Sequence, residues 1–354
     1  MDAVLVFPPH WPAFQVYPSL PLLQGYLRSR GQASEILDAN VQFHNYLLSE
    51  EFRASALTRL ESRPAATQAS RSDRQVSMAV RDRLEKGGRD AAVVFSMRAP
   101  GFHLDHRSRQ AAIRTWDSYL QLVSTIYPTI WLNHRDLTVT QLAQNFTDIV
   151  RFCEDHEENI FLQYYARRLA QTLQAMRPSV VGIALVGPAQ TLSAFTLCLL
   201  LKKILPSTHI TLGGPYCSVI LGPHSSFANL IGDSFDSVIE GRGELPLLEL
   251  LLALQESRPP DSVAALTCRT TDGRLRRGIA CTFVPSESRA DFTGIDLGAY
   301  FYDAPIPMRL YGTAGFHVEL TGLPESTARV AQAHSDGDEA VLDNAAALQN
   351  LTRN

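Results

Sequence analysis

The chain predicts an α/β protein of Rossmann-like topology: a parallel five-stranded sheet with a large helical insertion and a small β hairpin. Three observations predict it. Val180-Val181-Gly182-Ile183-Ala184-Leu185-Val186 is a nearly unbroken apolar run, as expected of a strand buried on both faces, and amphipathic helices follow it and its successors. The later strands end in Gly213-Gly214-Pro215 and in Glu240-Gly241-Arg242-Gly243-Glu244, small turn residues at the carboxyl edge where an open parallel sheet takes its ligand. The first forty residues carry a strand, a helix and a second strand of their own.

In order, residues 3–7 form a short buried strand stopped by Pro8-Pro9-His10. A loop through Tyr17-Pro18-Ser19 leads into a helix ending near Arg30, with Leu20, Leu23 and Leu27 on one face and Gly31 as the stop signal. Residues 35–38 read as the second strand, with Asp38 and Asn40 at its tip, placed to fix a loop. Between 44 and 177 the pattern turns helical. Residues 62–90, rich in Arg, Ser, Ala and Gln, predict a solvent-facing or mobile helical segment, whereas Trp116, Tyr119, Leu120 and Val123, and later Phe161, Tyr164, Tyr165 and Leu169, mark buried helical faces. Residues 178–257 supply three more strands with their helices. Past Pro259-Pro260 a strand over 263–268, the turn signal Asp272-Gly273 and a partner strand over 279–284 predict the hairpin. The expected organisation is one domain, 1–257, interrupted by the insertion 44–177, then a hairpin and connector over 258–311, and a tail, 312–354, without a core pattern and expected to be disordered.

Composition narrows the function. A length of 354 residues with 45% hydrophobic content suffices for one large domain or two smaller ones. The net charge of -4 gives no electrostatic reason to expect nucleic acid or an anionic membrane. The longest apolar run, near 195–205, is broken by Lys202-Lys203 and falls short of the ~20 residues of a membrane span, so it predicts a core helix. Cys153, Cys198, Cys217, Cys268 and Cys281 contain no CxxC pair. Scattered and odd in number, they predict reduced, buried thiols and a cytoplasmic protein.

Several motifs in collinear order resemble one family. Val4-Leu5-Val6-Phe7-Pro8-Pro9 with Tyr17-Pro18-Ser19-Leu20-Pro21, and Leu37-Asp38-Ala39-Asn40 running into Phe43-His44-Asn45-Tyr46-Leu47-Leu48-Ser49, are similar to the start of cobalamin-binding-domain radical SAM proteins. Gly182-Ile183, Leu212-Gly213-Gly214 and the turn at 240–244 resemble later landmarks of the same domain. Met97-Arg98-Ala99-Pro100-Gly101-Phe102 and Glu157-Glu158-Asn159-Ile160-Phe161 resemble a branch associated with maturation of ribosomal peptides, and Asp291-Phe292-Thr293-Gly294-Ile295-Asp296 resembles the connector before a catalytic barrel. The resemblance spans residues 1 to about 309.

The resemblance implies cobalamin as cofactor, with the nucleotide tail near Gly213, Gly214, Pro215, Glu240 and Gly241, and the corrin over Pro9, His10, Tyr17, Gly187 and Gln190. Each position has a plainer reading: a glycine pair makes a turn, His10 is a histidine in a solvent-exposed loop, Glu244 favours the start of the next helix, and Tyr17 and Gln190 serve packing and loop solvation. The sequence also departs from the family. Radical SAM enzymes hold their iron-sulfur cluster on a CxxxCxxC loop because iron clusters need thiolate ligands. Here the connector runs into Arg309-Leu310-Tyr311-Gly312-Thr313-Ala314-Gly315-Phe316 instead, and no barrel of ~200 or more residues follows. No iron-sulfur cluster and no protein metal ligands are expected. The DxHxxG sequence whose His ligates cobalt is absent. Ala184, Val186 and Gly187 stand where hydroxyls typically meet the tail, and each unmade hydrogen bond there costs ~1–3 kcal/mol. The expected function is noncatalytic cobalamin binding, accessory to peptide or natural-product modification. The alternatives are a cobalamin-carrying component of a split radical SAM methyltransferase and an interaction protein that has lost the cofactor. The expected partners are a separate radical SAM protein, docking on an exposed connector over 291–311, or a peptide substrate.

Overall fold

The structure is a computed structural model that describes residues 1–301 except 15, 63–70, 100, 101, 103, 104, 140–145, 223–225 and 283–288, together with 317–319 and 329–332. The chain opens with β1 (Ala3–Val6), α1 (Ser19–Ser29) and β2 (Ser34–Leu37). An insertion follows: α2 (Ala39–Leu47), α3 (Glu50–Ser62), α4 (Arg71–Phe95), α5 (His106–Ile126), the short pair β3 (Ile130–Leu132) and β4 (Leu137–Val139), α6 (Phe146–Glu154), α7 (Ile160–Arg168) and α8 (Ala170–Met176). The sheet resumes with β5 (Val180–Ala184), α9 (Thr191–Ile204), β6 (His209–Gly213), α10 (Cys217–Ile220), β7 (Ser237–Ile239), α11 (Glu244–Gln255), β8 (Leu266–Arg269) and β9 (Leu275–Arg276). Two further short strands, β10 (His317–Glu319) and β11 (Arg329–Gln332), pair antiparallel with each other in the tail.

The sheet runs β2-β1-β5-β6-β7-β8-β9. Its first five strands are parallel, so β1 pairs directly with β5 across the whole insertion, Ala3 opposite Val180 and Val6 opposite Ile183. This 2-1-3-4-5 order is that of a doubly wound Rossmann-like fold, with its switch point between β1 and β5. Alternation along the strands sends Val4, Val6, Val181, Ile183, Ile210 and Leu212 to one core and Ala3, Leu5, Val180, Ala184 and Ile239 to the other. The first core is shared with the helical insertion. The second is covered by α1 and α11.

The insertion is held by aromatic side chains whose hydroxyls bond backbone. Tyr119 donates to Leu47 O at 2.7 Å and Tyr164 to Ala39 O at 3.0 Å. Asn159 starts α7, accepting from Phe161 N and Leu162 N while its amide reaches Thr196 Oγ1 on α9. Trp116, Tyr119, Leu120 and Val123 are fully buried, as their spacing predicts. Of the predicted solvent-facing segment, residues 63–70 lie outside the described residues and much of the rest is α4, whose Val80, Leu84 and Ala91 are buried. Four cysteines are buried and Cys281 is half-buried, all as free thiols. No helix among the described residues is long and apolar enough to cross a membrane.

Two expectations change. The hairpin's return strand is Leu275–Arg276, directly after the Gly273 turn, and it extends the main sheet as its last two members with β8, antiparallel. Ile279 lies outside any strand and is 74% exposed, so its apolar character marked no strand. Arg276 fixes the nearer register by donating to Leu266 O at 3.0 Å. The connector, for its part, is anchored over 291–301 and exposed only in part: Phe292, Tyr300 and Phe301 are buried, whereas Thr293, Gly294, Asp296 and Gly298 are exposed. Gln24 on α1 donates to Asp291 O and Thr293 O, Arg28 pairs with Asp291 Oδ2 at 2.7 Å, and Phe301, fully buried, lies 4.5 Å from the Trp116 ring. Tyr300 hydrogen-bonds the Asp38 carboxyl. Residues 302–311 of the expected docking segment lie outside the described residues, as does the tail apart from β10 and β11.

Candidate functional site

A cavity of about 530 Å³ opens at the carboxyl edge of the sheet, between β1, β5, β6 and β7 beneath and α1 and α11 above. That is a volume suited to a small organic ligand. Its inner walls are apolar, with Leu5, Leu20, Leu23, Ala184, Ile239 and Leu247. Its polar groups come from Tyr17, Ser19, Thr211, Ser218 and the turn Glu240–Glu244.

Glycine shapes this space at two turns. Gly214 has φ +110°, and a Cβ there would stand 2.5 Å from Leu185 O. Only glycine lets the β6 turn lie against the β5 loop, where Leu185 N bonds Gly213 O and Tyr216 N bonds Leu185 O. Gly241 has φ +80° and packs equally close to Cys281 O, in a turn pinned by Cys281 N to Glu240 O and Arg242 N to Cys281 O. Gly213 differs. A Cβ there would meet nothing within 4 Å, so its missing side chain is part of the cavity.

The side chains around the opening are held by neighbours. Tyr17 stacks on Phe7 with centroids 5.1 Å apart and planes 6° from parallel, and burial raises its hydroxyl pKa. Glu244 is nearly buried and pairs with Arg242 at 2.8 Å, so it starts α11 as half of an ion pair. Neither α1 nor α11 has a side-chain cap at its N-terminus. Pro21 and Pro246 carry no N–H, so the first-turn donors beside the cavity are those of Ser19 and Leu20 and of Glu244 and Leu245.

Of the sequence-predicted contacts, Tyr17, Gly213, Gly214, Pro215, Glu240 and Gly241 line this one cavity. Pro9, His10, Gly187 and Gln190 do not; all four are buried in the loops that leave β1 and β5. His10 is fully buried rather than in a solvent-exposed loop, with neither ring nitrogen partnered and its ring 4.7 Å from that of His44. Burial first, then the neighbouring His44 and His134, hold it well below the ordinary histidine range. Gln190 joins the two loops: its Oε1 accepts from Val186 N and its Nε2 donates to Pro8 O, both at 2.8 Å. Gln190→Ala leaves both backbone groups without that partner. It is expected to lower stability by about 2 kcal/mol, read as a reduced urea midpoint at unchanged slope; an unchanged midpoint would show that the staple carries no load. Asp38 and Asn40 fix loops as predicted, Asp38 accepting from Val41 N at the start of α2 and Asn40 from Trp11 N. Thr211, Ser19 and Ser218 escaped notice in the sequence because a hydroxyl in a strand or loop carries no signal of its own. Among the described residues no group of three or more His, Cys, Asp or Glu side chains is placed to hold a metal ion.

No family model matches the chain, and no curated protein matches it. Among solved structures it is similar to the radical S-adenosylmethionine methyltransferase TsrM from Kitasatospora setae. Against that enzyme with its tryptophan substrate and the SAM analog aza-SAM bound, the TM-score is 0.35 at 12% identity, covering 81% of this chain and 30% of that one. Against the form with cobalamin and a four-iron four-sulfur cluster bound, the TM-score is 0.33 at 14% identity, with the same coverage. The chain thus spans about 30% of the length of the structures it matches.

Proposed function

We propose that this chain binds a cobalamin, with the nucleotide tail in the cavity, and serves as an accessory to peptide or natural-product modification whose radical chemistry lies outside these 354 residues. The observation that carries this reading is the convergence of Gly213, Gly214, Pro215, Glu240 and Gly241 with Tyr17 on one cavity at the sheet's carboxyl edge. The first five are tail positions that the resemblance implies, and Tyr17 is a position it implies for the corrin. The residues fit the group. Apolar walls suit a bicyclic aromatic base, the open space at Gly213 admits it close to the backbone, and the uncapped first turns of α1 and α11 offer N–H donors to a phosphate. When bound, a cobalamin supplies a transferable group at cobalt; this chain's residues hold the tail, exclude water from its base and support the strand-end loops. Pro9, His10, Gly187 and Gln190 belong to that support, since they lie beneath the loop surface.

The test is a titration of the purified chain with hydroxocobalamin and, separately, with cobinamide, which lacks the tail, followed by ultraviolet-visible spectroscopy and gel filtration. Cobalamin is expected to bind at least about tenfold more tightly, the equivalent of ~1.4 kcal/mol from tail burial. Equal affinity for the two, or none for either, overturns the reading.

A further inference from the structure

Beneath the cavity a chain of three polar side chains crosses an otherwise apolar face. His209 and Thr211 on β6 and Ser237 on β7 point to the same side of the sheet as Leu5, Ala184 and Ile239. His209 Nε2 lies 2.8 Å from Ser237 Oγ, and Ser237 Oγ donates to Thr211 Oγ1 at 2.9 Å. Ser237 is fully buried and Thr211 nearly so, at 2% exposure. Serine has one hydroxyl hydrogen, and it goes to Thr211. With the Ser237 hydrogen assigned to Thr211, the His209 tautomer that completes the chain carries its hydrogen on Nε2 and donates it to Ser237 Oγ. In that assignment every bond in the chain runs the same way, and the hydrogen of Thr211 stands at its end. Among the described residues no acceptor takes that hydrogen, while Thr211 lines the cavity. Three buried polar groups on an apolar sheet face, aligned toward a cavity, are a costly way to satisfy one another.

We infer that Thr211, oriented by the His209–Ser237 chain, is a specificity-determining donor that reads an acceptor nitrogen on a flat aromatic base in the inner cavity. This deepens the proposed function, because the benzimidazole of a tail released from cobalt carries such a nitrogen. It also answers the absence of hydroxyls at Ala184, Val186 and Gly187, since the donor comes from the next strand. His209 supports the arrangement: burial holds its pKa well below the ordinary range, so it remains neutral near pH 7.

Two fragments of one shape separate the donor's role from general apolar binding. In 1-methylbenzimidazole an imine nitrogen accepts a hydrogen bond; in 1-methylindole a C–H replaces it. Titrations of the full chain followed by NMR are expected to show about tenfold preference for 1-methylbenzimidazole. Thr211→Val keeps the shape and should reduce the preference to within about twofold, whereas Thr211→Ser should retain it, with thermal unfolding confirming that each variant is folded. The inference is overturned if the preference persists in the Val variant, if wild type shows no preference, or if neither fragment binds. The cobalamin titration is read independently: fragment discrimination without cobalamin binding sinks the proposed function and leaves Thr211 as the reader of some other aromatic base.

Discussion

Gly213→Leu is expected to leave the protein folded and to weaken cobalamin binding on the order of 100-fold, the equivalent of about 2.7 kcal/mol, while Gly214→Leu, one residue on, is expected to prevent folding. The two glycines look interchangeable in the sequence. At Gly213 an added Cβ meets nothing within 4 Å, so a leucine there grows into the cavity. At Gly214 the backbone has φ +110° and the new Cβ would stand 2.5 Å from the Leu185 carbonyl oxygen. Left-handed strain combined with a backbone clash exceeds about 3 kcal/mol, a large share of the total stability of a domain. Gly214→Leu therefore cannot test occupancy of the cavity, and Gly213→Leu can. Circular dichroism and urea unfolding establish folding; the cobalamin titration establishes affinity. A folded Gly213→Leu protein that binds cobalamin like wild type would remove the tail from this cavity.

That contrast shows where the sequence was legible. The five parallel strands could be read because strands buried on both faces leave runs such as Val180 to Val186, and their ends could be read because turns there demand glycine. That residues 1–42 and 178–257 share one sheet across the insertion followed because neither piece alone covers a sheet, whereas the order β2-β1-β5 comes from the structure. Register at the sheet's far edge was not legible. Ile279 offered an apolar residue at the expected spacing, but the short Gly273 turn and the hydrogen bond from Arg276 to Leu266 O select Leu275–Arg276 instead. Interactions between distant residues leave no local pattern at all. Tyr300 meets Asp38 across 262 positions, and Thr211 acquires its meaning only from a serine on the neighbouring strand.

The same long-range burial makes stability depend on pH, through groups of opposite sign. Burial lowers the His44 pKa to about 4, against the bond to Trp11 O that favours its charged form. The unfolded chain, titrating near the ordinary value of 6.5, then binds a proton that the folded chain refuses. The stability associated with neutral His44 is full above about pH 6.5 and is lost as pH falls toward 4. His10 and His209, also lowered by burial, act in the same direction. Asp38 acts against them. Burial raises its pKa to about 6, partly offset by its bonds to Tyr300 and to backbone N–H groups, so the folded state takes up a proton first and gains stability as pH falls through 6. With three histidines opposing one aspartate, wild type is expected to lose stability between pH 8 and pH 5. His44→Gln, which can still donate to Trp11 O, removes one of the losses and should gain about 2 kcal/mol relative to wild type on moving from pH 8 to pH 5. Asp38→Asn retains a residue suited to starting α2 but removes the opposing gain, and should fall behind wild type by about 1 kcal/mol over the same interval. Urea midpoints at the two pH values measure both. A His44→Gln profile parallel to wild type would mean that His44 takes up its proton at the same pH in the folded and unfolded chains, and hence that burial does not hold it neutral.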